Sequence, residues 1–189
     1  MSDKPKFPHA QAMKVAVELV NTLRPYVKEI TIAGSLRRGK HFVGDIEILY
    51  VPMLTKQKVG LFESDMQSVN VTDAYLINPM LRSGVIEKRP NRLGHFAWGV
   101  NNKLARHVAS NIPVDFFGTT MENWFVSLVI RTGSKETNLS LTMGAQKLGR
   151  TLNAYGCGVT ESDGTITPAT SEEHVFQLCG VPYKEPQAR

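Results

Sequence analysis

The chain has 189 residues, 42% hydrophobic and 21% charged, which excludes a disordered, collagenous or low-complexity protein and fits one domain or two small packed lobes. Lys and Arg number 22 against 17 Asp and Glu, a net charge of +5 that permits a polyanionic partner without establishing one. No apolar run approaches the ~18 residues of a membrane span, and no secretory signal follows Met1.

Two cysteines, Cys157 and Cys179, lie outside any C-x-x-C spacing, and the histidines are scattered. A reduced, intracellular setting without structural zinc is expected. Ala12, Val15, Leu19 and Leu23 recur at helical spacing between Pro8 and Pro25 and predict an amphipathic helix over 10–24. Residues 29–33 read as a buried strand, followed by a Gly34-Ser35 turn and the basic run Leu36-Arg37-Arg38-Gly39-Lys40. Residues 45–51 read as a second strand, stopped by Pro52. The stretch 72–83 reads as helix interrupted at Pro79. Strands are expected over 95–100 and 104–109 around an Asn101-Asn102 turn, with His95, Phe96 and Trp98 as strand aromatics, and again over 112–117. Thr119-x-x-Glu122 reads as a capping box for a helix over 120–131 that carries Trp124, Phe125, Leu128 and Val129 into the core. A second helix runs from Ser134 to about 149. Short strands follow over 151–155 and 158–161, then a Ser162-Asp163-Gly164 turn and a helix capped by Thr170-x-x-Glu173.

Chemistry concentrates in Gly34-Ser35-Leu36-Arg37-Arg38-Gly39 and in Asp45-Ile46-Glu47-Ile48. Strand side chains alternate faces, so Asp45 and Glu47 project together while Ile46, Ile48 and Tyr50 face the other way. Two close carboxylates persist only with a cation between them or a shared proton. Mg²⁺ takes such oxygen ligands together with substrate phosphates. The Gly-Ser turn offers backbone N–H groups to phosphate, and Arg38 adds a charged donor. Asp115, the lone charge in an apolar strand, is the natural third carboxylate of a two-metal site.

These residues resemble the family X DNA polymerases, the polymerase β group of the nucleotidyltransferases. Gly34-Ser35, Asp45-Ile46-Glu47 and Asp115 match the superfamily pattern, and Gly34-Ser35-Leu36-Arg37-Arg38-Gly39 its polymerase form. Thr132-Gly133-Ser134 with Asn138, Leu152-Asn153-Ala154-Tyr155, Ser171-Glu172-Glu173 and Tyr183-Lys184-Glu185-Pro186 resemble later parts of the family. The resemblance implies an α+β fold: a palm with a mixed sheet and helices on one face over 1–118, and a small helical and β C-terminal lobe over 119–189. It implies that Asp45, Glu47 and Asp115 bind two Mg²⁺ ions, with Mn²⁺ as a substitute, and that Asp115 activates the primer 3′-hydroxyl. Gly34, Ser35, Arg38, Gly44, Gly133, Ser134 and Asn138 would bind the incoming dNTP. Arg37, Lys40, Arg89, Arg92, Arg131 and Lys135 are the candidate DNA contacts on primer-template or gapped DNA.

No counterpart of the family's lyase domain or helix-hairpin-helix fingers is identifiable, so lyase activity is not expected. The chain resembles the minimal two-lobe form of a large DNA virus, which implies a viral or phage source, a monomer and a setting inside the host cell, in cytoplasm or nucleoid. Ile130-Arg131 replaces an aromatic pair that helps exclude ribonucleotides, and Leu139 and Thr142 replace basic residues at the templating base. Templated short-gap repair synthesis with relaxed fidelity is the expected activity. The alternatives are untemplated 3′-end addition, nucleotide transfer to a non-DNA acceptor, and a catalytically dead DNA-binding module.

Overall fold

The computed structural model describes residues 5–58 and 66–189, and its architecture is α+β. Helix α1 (His9–Leu23) begins and ends one residue before the expected 10–24 and buries Ala12, Val15, Ala16, Leu19, Val20 and Leu23, the stripe set by the 3.6-residue period. It packs on one face of a five-stranded sheet. In sequence order the strands are β2 (Val27–Ile32), β4 (Ile46–Pro52), β7 (Ile86–Lys88), β8 (Asn102–His107) and β9 (Ile112–Gly118). Their spatial order is β2-β4-β9-β8-β7, antiparallel except for the central parallel pair β4-β9. A two-residue strand pair, β1 (Phe7–Pro8) with β3 (Phe42–Val43), ties the start of α1 to the segment before β4.

The alternation read in the sequence holds. Ile46, Ile48 and Tyr50 of β4, with Ile112, Val114 and Phe116 of β9, join the core under α1. Leu49, Val51 and Phe117 lie on the opposite face, against Trp124 and Leu128. The latter two belong to α4 (Trp124–Thr132), which with α5 (Lys135–Lys147) and α6 (Glu172–Leu178) forms the second core around Val126, Val129, Leu141, Val159, Val175 and Phe176. A small antiparallel sheet completes that region: β10 (Thr151–Leu152), β11 (Gly158–Thr160) and β12 (Ile166–Pro168). As expected, the turn around Asp163 joins its last two strands, with Asp163 Oδ1 accepting from Thr165 N.

Several elements differ from expectation. Strand β4 begins at Ile46, leaving Asp45 just ahead of it, and it includes Pro52 as its last residue. A hairpin of β5 (Leu54–Lys58) and β6 (Met66–Asn70) carries no alternating apolar signal and was not anticipated. The stretch 72–83 is a π-helical turn, Asp73–Ile77, running into α3 (Asn78–Arg82), where Pro79 sits in the first turn and needs no N–H donor. No strand forms over 95–100. Pro90 bridges Phe96 and Trp98 bridges Lys103 within an irregular loop, leaving Phe96 exposed, while Trp98 packs on the core with Lys88 over its ring. The Thr119–Glu122 box does not form either. Thr119 Oγ1 bonds Ser127 Oγ, Thr120 Oγ1 accepts from Asn123 N, and α4 starts later, without a side-chain cap. At α6 the cap is Ser171, which accepts from His174 N, rather than Thr170.

Beside the five-stranded sheet a polar cluster is buried. Lys103 Nζ reaches Asp73 Oδ2 at 2.8 Å, Gly99 O at 2.8 Å and Tyr50 Oη at 3.3 Å, so the buried ammonium is paired and fully engaged. Both cysteines are free thiols, and burial pushes Cys179 up to about 11, which makes it inert. Among the described residues no helix is long and apolar enough to cross a membrane.

Candidate active site

The parallel pairing of β4 and β9 sets Glu47 directly opposite Asp115. Both side chains leave the sheet on the face away from α1, because their neighbours at i±1 fill the core beneath that helix. Asp45 precedes β4 by one residue. Helix α2 (Gly34–Arg37), a single turn, closes over the same strand end, with Ala33 N donating to Glu47 O at 2.8 Å. Gly34 has φ 63°, and a Cβ there would overlap Glu47 Oε2. Glycine is therefore required twice at this position, for its backbone conformation and for the close approach of the carboxylate.

Burial, then the charges of Asp45 and Asp115, push the Glu47 carboxyl from 4.5 up to about 8, against smaller opposing pulls from Arg131 and Arg38. Three carboxylates thus share one electrostatic neighbourhood. Their side chains are not drawn together, however: among the described residues no three His, Cys, Asp or Glu groups form a metal-holding cluster. Glu47 rests on Gly34, and Asp115 Oδ1 accepts from Arg89 Nη2, whose Nε is held by Ala105 O at 3.1 Å.

The remaining candidates divide by what they touch. Arg37 forms a two-pronged ion pair with Glu172, at 2.8 and 2.5 Å, and donates to Thr132 Oγ1 at 2.7 Å. Arg189 Nη1 meets the same Glu172 at 2.9 Å. Burial pushes the Glu172 carboxyl up, but hydrogen bonds from both arginines outweigh it and hold it below the ordinary range. Arg37 was expected on DNA; here it is a strut between α2 and α6. Arg89 was also expected on DNA and is instead committed to Asp115. Arg38 donates through Nη1 to Thr132 O. Gly133 (φ 66°) follows that carbonyl, and a Cβ on it would stand 3.1 Å from the same Arg38 nitrogen.

Ser134 caps α5 by accepting from Thr137 N at 3.4 Å, and Asn138 Nδ2 donates to Ile130 O at 2.8 Å. Arg131 stacks 3.8 Å from the Phe117 ring centroid and donates to Tyr155 Oη at 3.3 Å. Ser35 and Gly44 are half-buried at the strand end, and Gly44 borders open space. Lys40, Arg92 and Lys135 are exposed. The structure therefore brings together Gly34, Ser35, Arg38, Asp45, Glu47, Asp115 and Arg131, and it leaves Arg92 on the surface. The sequence carried no sign of the roles of Arg89 and Glu172. Arg89 follows β7, a three-residue strand too short to read, and Glu172 stood in the Ser171-Glu172-Glu173 run, which carried a resemblance but no role.

Residues 127–189 match the family model described as DNA polymerase beta thumb. The chain is 25% identical over 166 residues to DNA polymerase lambda of Rattus norvegicus, spanning 82% of this chain but only 28% of that protein. In fold it resembles Leishmania infantum polymerase beta in a ternary P/T complex, with a TM-score of 0.72 and 18% identity over 98% of this chain and 77% of that one. Taken together, these comparisons show a chain similar in its C-terminal third to the polymerase beta thumb, similar in sequence along most of its length to part of polymerase lambda, and similar in fold to polymerase beta.

Proposed function

We propose that the protein is a DNA-directed DNA polymerase that adds dNMP to a primer 3′-hydroxyl in short-gap repair synthesis with relaxed fidelity. In this reading residues 1–118 are the catalytic palm and residues 119–189 the nucleotide-binding lobe. The enzyme acts as a monomer inside the host cell of a virus or phage. The observation that carries the proposal is the register of β4 on β9, which sets Glu47 beside Asp115 under the Gly34-Ser35 turn, with Asp45 one residue ahead of the strand.

An all-carboxylate donor set suits hard divalent cations, and Glu47, raised first by burial and then by Asp45 and Asp115, lies close enough to both acids to share a cation with them. Asp45, Glu47 and Asp115 would hold two Mg²⁺ ions once Glu47 turns off Gly34 and Asp115 leaves Arg89. Bound there, the ions supply charge neutralisation at the attacking and leaving oxygens. The protein's own part is positioning and charge. Ser35 and Arg38 hold the triphosphate, and the Gly133-Ser134 turn supports the sugar. The primer 3′-oxygen bonds to the α-phosphorus, the bond to the bridging oxygen of the β-phosphate breaks, and pyrophosphate leaves. The hydroxyl proton passes to an Asp115 carboxylate oxygen. Arg131, in place of the aromatic that shields against ribose, and Leu139 and Thr142, in place of basic residues, support relaxed selection.

Primer extension with Mg²⁺ tests this on a template-primer, a one-nucleotide gap and a lone single strand, beside Asp115→Ala. Extension restricted to templated substrates and lost in the variant is expected. Addition to the lone strand would replace the proposal with terminal transfer, and no extension by folded wild-type protein would overturn it.

A further inference from the structure

The short ladder of β1 and β3 holds an aromatic ring out in water. Phe7 pairs with Val43, and Pro8 with Phe42. Side chains alternate along both strands, so Phe7 and the buried Val43 turn to the core under α1, while Pro8 and Phe42 turn outward. Phe42 is 60% exposed and joins no ring stack or cation–π contact among the described residues. It cannot turn inward without a one-residue slip of register, which would bring Val43 out. Two further bonds tie the ladder down: His9 N donates to His41 O at 2.9 Å, and His9 Nδ1 to Lys40 O at 3.0 Å. The ring is therefore a fixed feature of the surface.

The charge around it has one sign. Lys6, Lys40 and His41 are exposed on the same two segments, with His9 half-buried between them. No Asp or Glu occurs over residues 4–17 or 30–44. Lys6 and Lys40 form no ion pair among the described residues. Phosphates answer such a field whatever the sequence they join, and every base has a flat face that stacks on an aromatic ring. An apolar protein partner would use the ring and leave the cations unanswered. A blunt duplex would use the cations but keeps its bases stacked on one another. An unpaired strand uses both.

The place in the chain suits such a strand. Only Val43 and Gly44 separate Phe42 from Asp45. At about 3.3 Å per residue that is about 10 Å, or roughly three bases at about 3.4 Å each.

We propose that Phe42, with Lys6, His9, Lys40 and His41 around it, is a docking surface for an unpaired DNA strand running on past the three acids, one base stacked on the ring and the phosphates on the cations. This extends the polymerase reading, but strand binding requires neither nucleotide nor metal, so the two can fail separately.

Fluorescence anisotropy of the full chain with dye-labelled oligo(dT), in chelator at low salt, tests it beside a blunt duplex of the same length. Phe42→Ser is expected to weaken oligo(dT) binding about ten-fold, as loss of one stacked base does, and to leave the duplex within about two-fold. Phe42→Trp should restore the affinity. Lys6→Glu should weaken oligo(dT) and flatten its salt dependence. Lys28→Glu makes the same change in charge at the far end of the sheet, next to the Val27–Pro52 pair, and should act within about two-fold, being beyond the screening length. Circular dichroism establishes that the variants are folded. No binding of oligo(dT) by wild type overturns the proposal. So does affinity untouched by Phe42→Ser, equal weakening of single strand and duplex by that variant, or equal weakening by Lys6→Glu and Lys28→Glu. The expected pattern in a protein that extends no primer would keep this surface and remove the polymerase reading.

Discussion

Replacing Glu47 with Gln should change how stability responds to pH rather than how stable the protein is in acid. In the folded chain the carboxyl titrates near 8 instead of 4.5, chiefly through burial and then through Asp45 and Asp115. Between those values the folded protein keeps a proton that the unfolded chain has released. Its contribution is therefore complete below about pH 4.5, declines as pH rises, and is gone above about pH 8. At about 1.4 kcal/mol per pH unit the full span corresponds to roughly 5 kcal/mol. Rotation of the ionised side chain off Gly34 toward water relieves part of that, leaving an expected loss of about 2–3 kcal/mol. Glutamine mimics the protonated acid in size and hydrogen bonding and does not titrate. Urea unfolding in chelator from pH 4 to 9 should give equal midpoints for the two proteins at the acid end. By pH 8.5 the variant should be the more stable by about 2 kcal/mol. Parallel curves across the range would refute the argument, because they would mean that Glu47 titrates alike in the folded and unfolded chains.

Glu172→Gln leaves Arg37 and Arg189 without their shared carboxylate and should cost about 2–4 kcal/mol in urea unfolding; an unchanged midpoint would mean the guanidiniums are solvated elsewhere. Gly144→Ala sits mid-helix, where alanine normally gains about 1 kcal/mol, but its Cβ would overlap Cys179 O and crowd Val181, so a net loss of about 1–3 kcal/mol is expected, and a raised thermal midpoint would contradict that packing. Ser134→Ala removes the α5 cap and should cost about 1 kcal/mol by the same measurement, with no effect if Thr137 N finds water instead.

Local patterns that depend on a few neighbouring residues were legible. The α1 stripe, the alternation along β4 and β9 and the Gly34-Ser35 turn each follow from a fixed period or a required backbone angle, and they locate the three acids. Features that depend on distant partners were not. Pro52 is tolerated as the last residue of β4, opposite Val27 and beyond the irregularity in the β2-β4 register. The Thr119–Glu122 signal lost to a competing Thr119–Ser127 bond, which spacing alone does not announce. Arg37 and Arg89 read as surface cations because the carboxylates that claim them lie on other elements: Glu172 on α6 and Asp115 on β9. Basic side chains near an acid-lined site can belong to the scaffold as easily as to a nucleic-acid surface, and the sequence does not distinguish the two.

The parallel β4-β9 pair also shapes how the protein must acquire its site. Antiparallel neighbours can be joined by a tight turn, but parallel ones require the chain to travel away and return, here through the β5-β6 hairpin, α3, β7 and β8. Closing so long a loop is entropically slow and precedes any gain from the contacts it makes. Glu47 and Asp115 therefore remain apart, and free of mutual repulsion, through the early formation of helices, and they meet only as the sheet's centre zips. On refolding, the Glu47–Asp115 pairing should emerge with the slow sheet phase and not with the fast helical one.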